Sequence, residues 1–325
     1  MATNVLIGIH GMLVSPKVEP QIQGYESILT DLELAEPSLR DVFPPEQRVF
    51  INWAQDLPPA QPRDDQKLRI AENFMVQHIG TKNVKPTAKI GINPIVDALE
   101  NVTIRVATDM VKDTVFMFGM TDVLYYAGDG EKPVRQNVFA SIAAAVLPLA
   151  RKSSKEVVRL HFFAHSQGAT IAHDVLFALF NTVNDDRYFT DTVKPGYGID
   201  QGVVDDIRTL RHMSTVGKIQ LGSFNTVGSQ ISVNLMRSQD LVDKLFKHES
   251  IDSTQLGLPP DGPVVWNNFY DRDDVLGYPL RGLYGYPSTI AEYEVQTGLL
   301  VDAHTNYWKC QPVIKMAAKL IASRL

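Results

Sequence analysis

The sequence predicts an α/β protein: a mostly parallel central sheet with helices on both faces. Three observations lead there. Short apolar runs rich in β-branched residues recur along the chain, segments with helical spacing lie between them, and one strand passes through a tight serine-centred turn directly into a helix.

The first run, Val5-Leu6-Ile7-Gly8-Ile9, ends at the turn pair His10-Gly11 and has the character of a strand buried on both faces. Val49 to Trp53, Val157 to Ala164, Lys218 to Thr226 and Val264 to Tyr270 are the next four candidate strands, the last preceded by Pro259-Pro260 and followed by an Asp-rich loop. Helical periodicity places Val138, Ile142, Val146 and Leu149 on one face of a segment from Val134 to Arg151. It does the same for Ile171, Val175, Leu176 and Leu179 between Thr170 and Phe180. Pro312 opens a last helix carrying Ile314, Ala317, Leu320 and Ile321 on one side. Residues 54 to 118 break the rhythm: prolines punctuate them, and Asn93 to Met117 carries a long helical pattern. The expectation is one domain over residues 1–325, with 54–118 as a helical insertion over one end of the sheet, either a lid or a plain decoration.

Composition narrows the function classes. Hydrophobic residues make up 44% and charged residues 21% of 325, enough for a sizeable core. The net charge is −6 and no stretch gathers Lys and Arg, so no nucleic-acid partner is expected. Acidic residues among Asn93 to Met117 argue against that segment as an anchor on anionic lipid. A single cysteine, Cys310, excludes an internal disulfide and a cysteine-based metal site, and is expected to be a buried small hydrophobe. Neither a metal nor a cofactor is expected. Met1 to Asn4 lacks the basic stretch of a signal peptide, and the most apolar window, Phe139 to Ala150, is too short to span a bilayer. The expected setting is soluble and cytoplasmic.

The decisive stretch runs from Arg159 to Ala172, with Ala164-His165-Ser166-Gln167-Gly168 at its turn. A strained strand-to-helix turn lifts a serine hydroxyl to the edge of a sheet, and the close approach of strand and helix demands small residues two before and two after it. Gly168 supplies one and Ala164 the other. A serine that merely caps a helix needs none of this. Because a serine hydroxyl is a weak nucleophile, it needs a base and an orienting acid; where the serine sits on such a strand-to-helix turn, the chain order is Ser, acid, His. Of the histidines after Ser166, His212 and His248 lie among charged, helix-like residues and are expected at the surface. His304 lies in the loop before the terminal helix and is the expected base. Asp271, Asp273 and Asp274 crowd the loop after the fifth strand, and residue types alone do not separate Asp274 from Asp273 as the acid. Two backbone N–H groups should hold an oxyanion, one from Gln167 and one from Met12 in the loop after the first strand. His10 is expected to brace that loop, and His161, His165 and His173 are expected to be structural.

Taken together, these residues resemble the α/β-hydrolase superfamily, most closely its intracellular lipase- and esterase-like members. The likeness rests on Ile9-His10-Gly11, Asp122-Val123 with Tyr126, the turn around Ser166, Gly228-Ser229, Trp266 to Tyr270 leading to Asp274 to Leu280, and Ala303 to Trp308. It covers about two-thirds of the chain and leaves out 54–118. The spacing from Trp266 to the aspartate before Val275-Leu276-Gly277-Tyr278-Pro279 tips the acid to Asp274. The resemblance implies a serine hydrolase acting on a small-molecule or lipid ester, with thioesterase, amidase or peptidase chemistry, or a catalytically silent scaffold, as alternatives. Gln230 follows Gly228-Ser229 where such enzymes often carry proline, a departure expected to touch only the local turn.

Overall fold

A computed structural model describes residues 2–11, 18–53, 126, 131–152, 156–181, 199–235, 239–259, 261–274, 276–298 and 301–325. The predicted insertion at 54–118, the Asp122-Val123 pair and Met12 lie outside the described residues.

Among the described residues, six strands form one sheet: β1 (Thr3–Ile9), β2 (Arg48–Ile51), β3 (Val158–His165), β4 (Ile219–Val227), β5 (Trp266–Tyr270) and β6 (Ile290–Glu294). They lie side by side in the order β2-β1-β3-β4-β5-β6, and every pairing is parallel. The helices are α1 (Val18–Ala35), α2 (Glu131–Lys152), α3 (Gln167–Phe180), α4 (Gln201–Thr215), α5 (Ile231–Leu235), α6 (Gln239–Phe246), α7 (Val301–Thr305) and α8 (Gln311–Ala322).

The five strands expected from sequence occur within a residue or two of their anticipated bounds. The helices expected near 134–151, 170–180 and 312 onward are α2, α3 and α8. Not expected from sequence are β6, α1, α4 and the short helices α5, α6 and α7. In β6, Glu292 and Glu294 interrupt the apolar run, as suits a strand that pairs only with β5 among the described residues. Helix α1 lies between β1 and β2, and α4 buries Val204, Ile207 and Leu210 along one side.

Side-chain alternation along the strands feeds two cores, one on each face of the sheet. From β1, Val5, Ile7 and Ile9 join one core and Leu6 the other; from β3, Phe162 and Ala164 face Phe163 in the same way. The first core is closed by α2, α3 and α4, through Val138, Ile142, Val175, Leu179, Ile207 and Leu210. The second is closed by α1 and α8, through Leu29, Leu32, Ile314 and Ile321. Cys310 is half-buried against this second core. Because both faces are covered, the strands read as continuous apolar runs. No described helix is long and apolar enough to cross a membrane.

A parallel sheet points all its strands the same way, so their carboxyl ends share one edge, where crevices form in open α/β sheets. The loops leaving β1, β3, β4 and β5 there carry Gly11, Ser166, Gln230 and Asp274, and the connection after β6 carries His304.

Candidate active site

Ser166 is the one residue between β3 and α3. Its backbone sits at φ 54°, ψ −127°, a conformation that costs a side-chain-bearing residue free energy and persists only where its surroundings enforce it. Two anchors do so: Ser166 N–H donates to the Val227 carbonyl of the neighbouring strand (3.0 Å), and the Ala169 N–H donates to the Ser166 carbonyl (3.0 Å). The turn is also tight. A Cβ on residue 168 would overlap the backbone carbonyls of Ile9 and His10, so only glycine lets α3 lie against the end of β1.

The Ser166 hydroxyl lies 2.7 Å from His304 Nε2, and His304 Nδ1 lies 2.9 Å from both carboxylate oxygens of Asp274. A carboxylate only accepts, so Nδ1 carries the proton and donates to Asp274, which leaves Nε2 to accept from Ser166. Ser166, Asp274 and His304 are all buried. Burial alone pushes the Asp274 carboxyl up, but His304, the Leu276 N–H (2.9 Å) and the Tyr307 hydroxyl (2.9 Å) outweigh it and hold the carboxyl below its ordinary value. Tyr307 also accepts from the Asp271 N–H (2.8 Å) and so ties the two ends of the aspartate loop together. Gly228, at φ 54°, leaves room for this arrangement: a Cβ there would come within 2.9 Å of Asp274 Oδ2 and 3.2 Å of His304 Nδ1.

The geometry separates the three aspartates. Asp274 alone meets His304. Asp273 is exposed, and its N–H donates to Asp271 Oδ1 (3.0 Å). Asp271 is buried but turned the other way, accepting from the Thr297 N–H (2.5 Å) and hydroxyl (2.8 Å).

The remaining histidines divide as their surroundings dictate. His212 and His248 are exposed. His10 Nε2–H donates to Asn52 Oδ1 (3.0 Å), its ring stacks on Trp53 (centroids 5.5 Å), and the Trp53 indole N–H donates to the His10 carbonyl (2.9 Å), so the loop after β1 is braced from both sides. His161 bridges Asn4 Oδ1 (3.1 Å) and Ser223 Oγ (3.0 Å) inside the sheet, where burial, with the charges of Arg159 and Arg324, lowers its pKa to about 3. His165 lies against the site: its Nε2–H donates to the His304 carbonyl (2.8 Å) and holds the backbone that carries His304. Burial first, and then the neighbouring His304, lower its pKa to about 3, so this imidazole stays neutral.

Gln230 overturns one expectation. Its side chain is fully buried and its Nε2 donates to Ser166 Oγ (3.1 Å), so the departure from proline touches the serine itself as well as the turn. Asn234, one helical turn on, reaches Gln167 Oε1 and Thr170 Oγ1 (3.2 Å each). The signal available in the sequence was a polar residue a few positions past the end of the fourth strand, in place of a proline. Gln167 opens α3, and its backbone N–H, one of the first-turn donors without an intrahelical acceptor, is available to an anion beside Ser166. The second expected donor, Met12, lies outside the described residues. Among the described residues no group of three His, Cys, Asp or Glu side chains is arranged to hold a metal ion.

No protein-family model matches this chain, and neither does any curated protein or solved structure.

Proposed function

We propose that this protein is a serine hydrolase of the α/β-hydrolase type that cleaves a carboxylic ester by two-step acyl transfer. The observation that carries the reading is the relay from Ser166 through His304 to the buried Asp274, assembled on a serine in a strained backbone conformation. In the first step Ser166 Oγ attacks the ester carbonyl carbon while His304 Nε2 takes the hydroxyl proton. Asp274 keeps His304 in the tautomer with Nε2 free and stabilises the imidazolium that forms. The Gln167 N–H, with a second donor expected from Met12, holds the oxyanion; one such donor is worth about 3 kcal/mol in the transition state. Collapse of the tetrahedral intermediate passes the His304 proton to the departing alcohol and leaves Ser166 acylated. Water, deprotonated by His304, then attacks the acyl carbon, and the acid departs as Ser166 regains its proton. Each step uses groups of this chain and water alone.

A small-molecule or lipid ester fits this chemistry, and a panel of ester, thioester and amide substrates separates it from its close relatives. The primary test is reaction with a fluorophosphonate probe followed by mapping of the adduct. Labelling of Ser166, abolished in Ser166→Ala and accompanied by a loss of kcat on the order of a millionfold, is the expected result. Folded protein that does not label would overturn the proposal.

A further inference from the structure

Three carboxamides form one hydrogen-bonded group beside Ser166, and their hydrogen bonds run in one direction and stop short. Asn234 Nδ2 faces three oxygens: the Gln230 backbone carbonyl (3.1 Å), Thr170 Oγ1 (3.2 Å) and Gln167 Oε1 (3.2 Å). A backbone carbonyl only accepts, so this end of Asn234 is its NH2 group, and Oδ1 points the other way. Gln167 must then present Oε1 to Asn234 and turn its own NH2 group elsewhere. Gln230 is oriented by Ser166. The serine proton is committed to His304, so Oγ can only accept from Gln230, which fixes Nε2 toward the serine.

Three atoms are left over. Gln230 Oε1, Asn234 Oδ1 and Gln167 Nε2 have no hydrogen-bond partner among the described residues, although their residues are 1%, 3% and 0% exposed. Buried polar atoms are nearly always satisfied, and stranding one costs the full desolvation of the group. Two acceptors and one donor, on residues joined by hydrogen bonds to one another and to Ser166, form a specific complement. An alkyl chain laid against them would leave all three stranded. A hydroxyl group could donate to a carboxamide oxygen and accept from Gln167 Nε2.

We infer that this site selects esters bearing a free hydroxyl close to the scissile bond, with Gln230 as the residue that reads it. The inference rests on the hydrolase reading and narrows its substrate class. The hydroxyl is supplied either by a hydroxyacyl group or by a partly esterified polyol. In the Michaelis complex it engages Gln230 Oε1 while the Gln230 NH2 group stays on Ser166. The carboxamide thereby couples recognition of the hydroxyl to the position of the attacking oxygen.

The test compares kcat/KM of the full chain on matched ester pairs. The acyl arm sets para-nitrophenyl β-hydroxybutyrate against para-nitrophenyl butyrate, and the alcohol arm sets glyceryl monobutyrate against propyl butyrate. A preference for the hydroxylated partner on the order of a hundredfold in one arm is expected, and that arm identifies the source of the hydroxyl. Gln230→Met, close in volume but without polar atoms, should bring the ratio to within a few-fold of one. Ratios near one in both arms, from protein that labels stoichiometrically at Ser166, would overturn the inference and leave the hydrolase reading intact; they would mean that water alone satisfies these atoms. An undiminished preference in Gln230→Met would also overturn it. Failure of wild-type protein to label would remove the hydrolase reading and this inference together. Should Gln230→Met not fold, the wild-type ratios decide.

Discussion

Two buried carboxylates in this molecule have similar neighbours and opposite characters. Asp274 meets His304, the Tyr307 hydroxyl and a backbone N–H. Asp174, in the middle of α3, meets the Tyr126 hydroxyl (2.5 Å) and Arg135 (2.9 Å), with His173 Nδ1 3.9 Å away. The guanidinium cancels the Asp174 charge within the fold, whereas the hydrogen bonds made to Asp274 are with neutral groups while His304 is neutral. The charge of Asp274 therefore remains available to stabilise a proton arriving on His304. The second difference is what lies beyond each histidine. His304 Nε2 faces the Ser166 hydroxyl, but His173 Nε2 is hydrogen-bonded to the Tyr284 hydroxyl (2.7 Å), a phenol that burial and the Asp174 charge hold well above its usual pKa. Under the proposed mechanism, what distinguishes the Ser166 relay from this second one is the carboxylate: Asp174 is held by a fixed guanidinium and Asp274 is not.

Exchanging the charge on each aspartate should break the comparison most sharply. Asp274→Asn is expected to lower kcat on the order of ten-thousandfold by favouring the wrong His304 tautomer, with a smaller loss in urea unfolding than Asp174→Asn. Asp174→Asn should do the reverse. It removes a buried counter-ion from Arg135 and costs about 3 kcal/mol in urea unfolding, while kcat per labelled Ser166 stays within a few-fold of wild type. If both substitutions lowered kcat alike, the distinction would be wrong.

Acid sharpens the same contrast on the side of the sheet edge. His165 and His161 have pKa values near 3 in the fold, against about 6.5 in the unfolded chain. Between those values the unfolded chain binds more protons. Stability is therefore fully present above about pH 6.5 and drains as pH falls toward 3, by a few kcal/mol in all, on the order of what buried neutral histidines contribute. Asp274, held below its usual value, adds to the loss below about pH 4. Thermal melts from pH 7.5 to 4 should show this decline; His165→Gln should remove about half of it, since His161 remains, and Asp174→Asn should leave the slope between pH 6.5 and 5 in place. The smallest effect expected is that of Tyr307→Phe. Losing its hydrogen bond to Asp274 should lower kcat about tenfold, and leaving the Asp271 N–H without its acceptor as well should bring the stability cost to about 2 kcal/mol; equal kcat for this variant and wild type would show that His304 alone orients the carboxylate.

Much of this arrangement was legible in the chain because it depends on local pattern. The strand-turn-helix around Ser166 needs small residues at fixed positions, and His304 stands just before a helix opened by Pro312. The choice between Asp273 and Asp274 needed the fold: both are turn residues of one type, and only the path of the loop under Tyr307 sends one inward and the other to solvent. Gln230 was misjudged for a related reason. A glutamine after a strand normally reads as a surface turn residue, and its burial against Ser166 follows from parallel pairing of β3 with β4, a contact between residues 64 apart in sequence. Helix α4 is masked in sequence by charged residues on its exposed side, and β6 by glutamates where a central strand would carry apolar residues.

The distance along the chain between the serine and its base has a consequence for biogenesis. Ser166 and His304 are separated by 138 residues. A ribosome-bound chain therefore exposes the serine long before its base is synthesised. Under the proposed mechanism such a chain is inert toward esters, and hydrolytic competence arises only once the segment carrying His304 has been made and closes over the edge of the sheet.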